Sequence, residues 1–207
     1  MKTALILVDL QNDFLPGGAL AVPHGDEVVA VANRLMPRAD VVVATQDWHP
    51  PQHGSFAAEH PGRKPFEMGE LNGLAQVLWP VHCVEWTGGA QFAPGLETRR
   101  LARCFPKGTD PGIDSYSGFF DNGRRKATAL ADWLKAQTVG AVWILGLATD
   151  YCVKATALDA HELGFRTTLI EDGCRAVNLQ PADGPRTIAE LRAAGIAVLR
   201  STELGRI

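Results

Sequence analysis

The clearest signal in the chain is at Gly140-Ala141-Val142-Trp143-Ile144-Leu145-Gly146 and the segment that follows it, Leu147-Ala148-Thr149-Asp150-Tyr151-Cys152-Val153. The first segment is short, apolar and bounded by glycines, which is typical of a strand buried on both faces of a sheet. In the second, Thr149 offers a side-chain oxygen for a helix N-cap, and apolar residues recur at helical spacing over 149–163. This strand, turn and helix place Cys152 in the first helical turn.

Cys152 is a candidate nucleophile because of this position. Unpaired N–H groups and the helix dipole favour an anion at a helix N-terminus. A thiol placed there becomes a thiolate more readily, and the thiolate is the nucleophilic form. Position alone leaves an inert core cysteine as an equally good interpretation, since cysteine is among the most buried residue types.

Composition narrows the class of protein. The chain has 207 residues, 46% of them hydrophobic and 21% charged, which predicts one globular domain over 1–207. A net charge of −3 provides no basic footprint for nucleic acid or an anionic membrane. Asp9 interrupts the apolar start of the chain, so residues 4–8 read as a strand and not as a signal peptide. Four widely spaced cysteines predict reduced thiols and a cytoplasmic location.

Strand-like and helix-like segments alternate along the chain. The predicted strands are 4–8, 41–45, 101–105, 142–147, 167–170 and 197–199, and the predicted helices are 26–36, 126–136, 149–163 and 185–194. This βαβ order predicts a three-layer α/β/α fold with a mostly parallel sheet and helices on both faces.

Four polar residues each come directly after a predicted strand: Asp9, Asp47, Lys107 and Cys152. The carboxyl ends of parallel strands meet at one edge of a sheet, where ligand sites form. We therefore expect these side chains to lie close together. The sequence has no G-x-G-x-x-G motif, which argues against a dinucleotide site of the usual kind.

The region 46–99 is predicted to carry a metal-binding loop. Asp47 and His49 are two residues apart, and in an extended chain such side chains point to the same side. His53 and His82 complete a mixed oxygen and nitrogen set that suits one divalent Zn, Fe or Mn ion. A surface position explains any single histidine more simply, and we keep that interpretation for His24, His60 and His161.

Asp9 and Lys107 are the candidate partners of the thiol. A cysteine nucleophile needs a proton acceptor and a group that stabilises its charge. A carboxylate that is partly desolvated at a strand end has a raised pKa, which suits a general base. The ammonium group of Lys107 would pair with Asp9 and favour the thiolate. Considered one at a time, Asp9 could equally be a carboxylate that caps a turn, and Lys107 could be a solvated surface lysine.

Together these segments resemble the nicotinamidases and pyrazinamidases of the isochorismatase-like cysteine hydrolase superfamily. The resemblance spans nearly the whole chain, and the ordered set of motifs is far more specific than any one of them. The motifs are Val8-Asp9-Leu10-Gln11-Asn12-Asp13-Phe14, Gln46-Asp47-Trp48-His49-Pro50, His53-Gly54-Ser55-Phe56, Trp79-Pro80-Val81-His82-Cys83, Lys107-Gly108-Thr109, Tyr116-Ser117-Gly118-Phe119 and 146–153. The resemblance implies a six-stranded parallel sheet and the hydrolysis of nicotinamide, or of pyrazinamide, with release of ammonia.

The resemblance also implies roles for individual residues. The implied catalytic triad is Asp9, Lys107 and Cys152, and the implied metal ligands are Asp47, His49 and His82, with His53 in a position that varies among members. A cis peptide bond before Ala148 is implied, with the N–H groups of Ala148 and Cys152 facing the oxyanion. The implied walls of the ring pocket are Phe14, Trp79 and Tyr116.

Other interpretations remain open at this stage. An amidase of the same superfamily with a carbamoyl or ureido substrate, or an isochorismatase, is disfavoured because those substrates offer no aromatic nitrogen to a metal. A silent binding module is disfavoured by the intact Asp9, Lys107 and Cys152. The expected partner is a small molecule, and the sequence leaves open whether the chain forms a homo-oligomer.

Overall fold

The fold is built on one six-stranded sheet, seen here in a computed structural model that describes residues 1–205. In chain order the strands are β1 (Lys2–Val8), β2 (Val41–Asp47), β3 (Met68–Leu71), β4 (Leu74–Val77), β5 (Arg103–Lys107), β6 (Val139–Leu147), β7 (Arg166–Arg175) and β8 (Ala197–Leu199). The sheet has the order β5-β2-β1-β6-β7-β8 and all of its neighbouring strands are parallel. Strands β3 and β4 form a separate antiparallel hairpin.

Helices flank this sheet and pack on it through apolar faces. They are α1 (Glu27–Leu35), α2 (Leu130–Ala136), α3 (Lys154–Glu162) and α4 (Asp183–Ala193). On α1, for example, Val28, Ala32 and Leu35 recur at helical spacing and are fully buried. None of the helices within residues 1–205 has the length and apolar character needed to cross a membrane.

The strand order reverses between β1 and β6. From β1 the chain builds outward through β2 to β5, and it then returns to the other side of β1 and builds β6, β7 and β8. Loops diverge at such a reversal and leave a crevice at the carboxyl ends of the strands, where α/β proteins bind ligands. Asp9 follows β1 and Cys152 follows β6, so the topology brings both residues to this crevice.

The predicted order of strands and helices is confirmed, with shifts at several boundaries. The helix predicted from residue 126 begins only at Leu130, because Ala127 forms a β-bridge with Phe120. The strand predicted at 101–105 lies at Arg103–Lys107. The long region after Asp47, which has no periodicity in sequence, contains the β3–β4 hairpin.

The helix predicted over 149–163 is divided in two. It opens with a wide turn of π-helical geometry, Thr149–Val153, and only then continues as α3. The predicted N-cap at Thr149 is wrong, since Ala148 occupies the cap position and makes no side-chain capping bond. Cys152 therefore lies in a π turn and not in the first turn of an α-helix.

Gly146 lets β6 pass close to β1 at the reversal of strand order. Its φ is +136°, and a Cβ added there would lie 2.7 Å from the backbone nitrogen of Val8 and 2.8 Å from its carbonyl carbon. Backbone atoms of a central strand cannot move aside as a side chain can. We expect Gly146→Ala to lower the free energy of unfolding by roughly 2–4 kcal/mol, measured by urea denaturation.

Gly140 in the same strand is the matched control. A Cβ there would meet the side chain of Met1, which is 89% exposed and free to move. Gly140→Ala should therefore change the free energy of unfolding by less than about 0.5 kcal/mol. Equal losses in the two variants would contradict the role given to Gly146.

Candidate active site and metal centre

The structure brings Asp9, Lys107 and Cys152 together in a buried cluster at the crevice. The ammonium nitrogen of Lys107 lies 2.9 Å from Oδ2 of Asp9 and 3.4 Å from the sulfur of Cys152. Asp9 is fully buried, and Lys107 is 2% exposed. Three residues from the ends of three different strands therefore meet with their functional atoms in contact.

The two oxygens of Asp9 have different surroundings. Oδ1 accepts a 2.6 Å hydrogen bond from the hydroxyl of Thr45. Oδ2 is buried and, within the described residues, receives no aligned hydrogen bond. The nearby ammonium group donates instead to Asp47, to the Ser115 carbonyl and to the Cys152 sulfur. Oδ2 is therefore the oxygen that is free to accept a proton.

The position of Cys152 was expected to make its ionisation easier, and burial in the folded protein opposes this. Burial raises the pKa of the Cys152 thiol well above its usual value; Lys107 opposes this shift, and the carboxylates of Asp9 and Asp47 reinforce it. Burial likewise raises the pKa of Asp9 against the opposing charge of Lys107, which agrees with the expected general base. The cluster thus favours a neutral thiol beside a base, and helix-end electrostatics do not overcome the loss of water around sulfur.

The segment around Cys152 is held in an unusual backbone conformation. The Leu147–Ala148 peptide bond is cis, as the resemblance implies. The N–H groups of Tyr151 and Val153, on either side of Cys152, both donate to the Ala148 carbonyl, at 3.2 and 3.1 Å. Asp150 ties the turn to the loop after β7 by accepting from the backbone N–H groups of Val177 and Asn178 at 3.0 and 2.8 Å.

Asp47, His49 and His82 form a second buried cluster next to the first. Oδ2 of Asp47 lies 3.7 Å from Nε2 of His49 and 3.7 Å from Nε2 of His82. Burial raises the pKa of the Asp47 carboxyl, but the charges of Lys107 and His49 outweigh it and hold that pKa well below the usual value. Asp47 is thus an anion in contact with both clusters.

The tautomers of the two histidines suit a metal ion. Nδ1 of His49 donates to the Gly108 carbonyl and Nδ1 of His82 to the Pro80 carbonyl, both at 2.8 Å. A carbonyl only accepts, so each Nδ1 carries a hydrogen, and in the neutral form of each ring Nε2 presents the lone pair. Two imidazole lone pairs and a carboxylate oxygen, all within 4.8 Å of one another, are a donor set that fits one divalent cation.

His53 lies beside this set but outside it. Its ring centroid is 4.3 Å from that of His49, and its possible ligand atoms group with those of His49 and Asp114. Nδ1 of His53 accepts from the Ser55 N–H at 3.2 Å, so Nε2 carries the hydrogen. Burial, with the charge of His49, lowers the pKa of His53 to about 4, which keeps the ring neutral. As arranged, His53 presents an N–H and not a lone pair.

A pocket opens on both clusters. Cys152 and Ala148 line one part of it, and Asp47 and His82 line another. Its aromatic lining residues are Phe14, Trp79, Tyr116 and Tyr151. Aromatic walls between a cysteine and a possible metal donor set suit a small aromatic ring.

Sequence reasoning missed several residues around this cavity. Tyr151 could have been identified from the sequence, because it directly precedes Cys152. Nothing in the sequence identifies the other three residues, which are Thr45, Gln76 and Asp114. Gln76 is buried in the β3–β4 hairpin and donates to Asp114 at 2.9 Å and to the Tyr116 hydroxyl at 3.2 Å, contacts that depend on tertiary structure.

Gly108 holds His49 in place at close range. Its φ is +64°, its carbonyl accepts from His49, and a Cβ added there would overlap the His49 ring. Gly108→Ala should therefore displace this ligand and raise the Kd for zinc at least about tenfold, measured by competition with a chromophoric chelator.

Gly62 provides the control for this substitution. It also has a positive φ, +78°, but no atom lies within 4 Å of its added Cβ. Gly62→Ala should keep the zinc Kd of the unaltered protein. Unchanged zinc affinity in Gly108→Ala would show that the contact with His49 does not govern binding.

Comparisons with known proteins agree on one family. The model of the isochorismatase domain matches residues 3–203. The nicotinamidase of Escherichia coli (strain K12) is 54% identical over 196 residues, which cover 93% of this chain and 92% of that protein.

Solved structures give the same result. A nicotinamidase/pyrazinamidase of Acinetobacter baumanii has a TM-score of 0.95 and 42% identity, with 99% of this chain and 98% of that chain covered. The pyrazinamidase of Pyrococcus horikoshii, solved in complex with zinc, has a TM-score of 0.78 and 37% identity, with 97% and 99% covered. The similarity thus extends over almost the full length of these proteins.

Proposed function

The chain belongs to the isochorismatase family, and we propose that it is a nicotinamidase, a metal-assisted cysteine amidohydrolase that converts nicotinamide and water to nicotinate and ammonia. Pyrazinamide, which keeps a ring nitrogen meta to the carboxamide, is the expected second substrate. One observation carries the proposal: a buried Cys–Asp–Lys cluster and a metal donor set share one aromatic-walled cavity. A role in NAD salvage follows from the reaction.

We infer that residues 1–207 act as one domain, with the metal-binding loop region at 46–99. A cytoplasmic location goes with this proposal, because all four cysteines are unpaired. Zinc is the preferred ion, because a similar pyrazinamidase was solved with it and the donor set fits; iron and manganese suit the same ligands.

Attack on the amide begins with a proton transfer between two buried residues. Oδ2 of Asp9 accepts the thiol hydrogen of Cys152 as the sulfur bonds to the carboxamide carbon. The π electrons of the carbonyl move to its oxygen, and the N–H groups of Ala148 and Cys152 stabilise the oxyanion. As Asp9 takes the proton, its negative charge passes to the sulfur and on to the carbonyl oxygen, and the ammonium group of Lys107 lies beside Asp9 and the sulfur throughout this transfer.

Breakdown of this intermediate returns the proton. Asp9 donates it to the amide nitrogen, the C–N bond breaks, and ammonia leaves a thioester on Cys152. Water then adds to the thioester carbon while Asp9 accepts one of its hydrogens. The C–S bond breaks, Asp9 returns the proton to the sulfur, and the product acid leaves and loses its own proton to water as nicotinate.

Asp47, His49 and His82 would hold the metal ion, with His53 as a neighbouring group. When bound, the ion supplies a Lewis acid for the lone pair of the pyridine nitrogen and so orients the ring. Phe14, Trp79 and Tyr116 supply the apolar walls that exclude water from the two faces of that ring. Orientation of the ring presents the carboxamide carbon to Cys152.

Cys152→Ala should abolish release of ammonia from nicotinamide while the variant keeps its far-ultraviolet circular dichroism spectrum, because no other group replaces the sulfur. Cys174 is a buried cysteine outside the cavity lining and serves as the matched control. Cys174→Ala should keep kcat/KM within about threefold. Substantial turnover by Cys152→Ala would overturn the mechanism.

Benzamide tests the role given to the metal. It has the shape of nicotinamide but no ring nitrogen, so a site built around that contact should reject it. We expect kcat/KM of the zinc-loaded enzyme to be at least about 100-fold lower for benzamide than for nicotinamide, with pyrazinamide close to nicotinamide. Comparable values for benzamide and nicotinamide would favour another amidase of the family, such as one with a carbamoyl or ureido substrate.

A further inference from the structure

We propose that Gln11 and Asp13 are positioning residues that hold the metal ligands at their spacing before the ion binds. Both lie in the short loop that follows the catalytic base, Asp9; Asp13 belongs to the single turn of 3-10 helix, Asn12–Phe14, within that loop. The inference rests on the proposed metal site of Asp47, His49 and His82, and it assigns the arrangement of that site to side chains that touch neither the ion nor the substrate.

Gln11 pairs with the main chain of Asp47 in both directions. Its Oε1 accepts from the Asp47 N–H at 2.8 Å, and its Nε2 donates to the Asp47 carbonyl at 2.7 Å. The same Nε2 donates to the Ala90 carbonyl at 2.9 Å, and the side chain is fully buried. The side-chain amide of Gln11 thus pairs with Asp47 as the backbone of a neighbouring strand would. These bonds fix the end of β2, from which the Asp47 carboxylate projects.

Asp13 acts on the segment that carries the other two ligands. Its Oδ2 accepts from the N–H of Cys83, the neighbour of His82, at 2.7 Å. The carbonyl of the same Cys83 accepts from the N–H of His49 at 3.0 Å. Cys83 has a φ of +45°, a conformation that a non-glycine residue keeps only when its surroundings hold it. Asp13 therefore fixes the peptide that joins the two histidine segments.

One loop thus grips the main chains of all three ligand segments. Without this loop, the carboxylate and the two imidazoles would become ordered only when the ion binds. The conformational entropy lost at that step would weaken the binding of the ion. Partners outside the ligand shell of a metal commonly change affinity by about 10–100-fold when they are removed. We expect an effect of this size from each of the two residues.

Asn12 provides the control within the same loop. It lies between Gln11 and Asp13, but its side chain is directed to the Gly88 carbonyl in an exposed position and contacts no ligand segment. The test compares Gln11→Leu, Asp13→Ala and Asn12→Ala in the full-length protein, stripped of metal by dialysis against a chelator. The zinc Kd is measured by chelator competition, and the melting temperature is measured with and without zinc.

The expected result is a rise in zinc Kd of about 10–100-fold for Gln11→Leu and Asp13→Ala, and a change below about twofold for Asn12→Ala. The rise in melting temperature that zinc produces should shrink in the first two variants. Ala32→Gly is a destabilising change on α1, a helix that contributes no residue to the metal donor set or to the pocket lining. It should keep the zinc Kd and so separates positioning from general loss of stability.

Gln11→Glu and Asp13→Asn answer the question if the larger changes prevent folding. Each keeps an acceptor oxygen; the first loses both donated bonds of Gln11, and the second loses the charge that receives the Cys83 N–H. Both should bind zinc more weakly than Asn12→Ala. If the unaltered protein binds zinc and the folded variants bind it equally well, this inference alone is overturned. If the unaltered protein binds no zinc, both the proposed metal site and this inference are overturned.

Discussion

The buried ammonium group of Lys107 is the interaction on which the rest of the site depends. It contacts the carboxylates of Asp9 and Asp47 and the sulfur of Cys152. Burial lowers the pKa of Lys107, but the two carboxylates outweigh this effect and raise that pKa well above its usual value. One cation therefore makes it possible to bury two anions side by side, Asp9 in the Asp–Lys–Cys cluster and Asp47 in the Asp–His–His cluster. Without it, the loss of water around two uncompensated charges would oppose folding.

This shared cation also explains why the thiol is not ionised in advance. Lys107 is already matched by two carboxylates, so a thiolate at Cys152 would add a further negative charge to a site closed to water. In the proposed mechanism the nucleophile is instead generated during attack, when the proton passes to Oδ2 of Asp9, the oxygen that faces Lys107. Electrostatic stabilisation is then directed at the oxyanion of the intermediate and not at the resting enzyme.

Backbone conformations that are rarely occupied mark the places where the strands meet the site. Asp9 and Cys83 have positive φ without being glycine, and Gly108 passes against the His49 ring. Such conformations persist where packing and hydrogen bonds hold them. In this protein the side chains of Gln11 and Asp13 supply part of that hold, so the loop after the base and the loops that carry the metal ligands are built as one unit.

The sequence by itself determined the order of strands and helices, because burial and βαβ alternation leave a direct pattern in the chain. The sequence also placed Asp9, Asp47, Lys107 and Cys152 at or just after the ends of predicted strands. They lie close together because the carboxyl ends of parallel strands share one edge of the sheet. Tertiary structure alone decided the resting state of the thiol, because the pKa of Cys152 reflects all the charges and the loss of water around it. Contacts such as Gln76 with Asp114 likewise join residues far apart in sequence, and no local pattern encodes them.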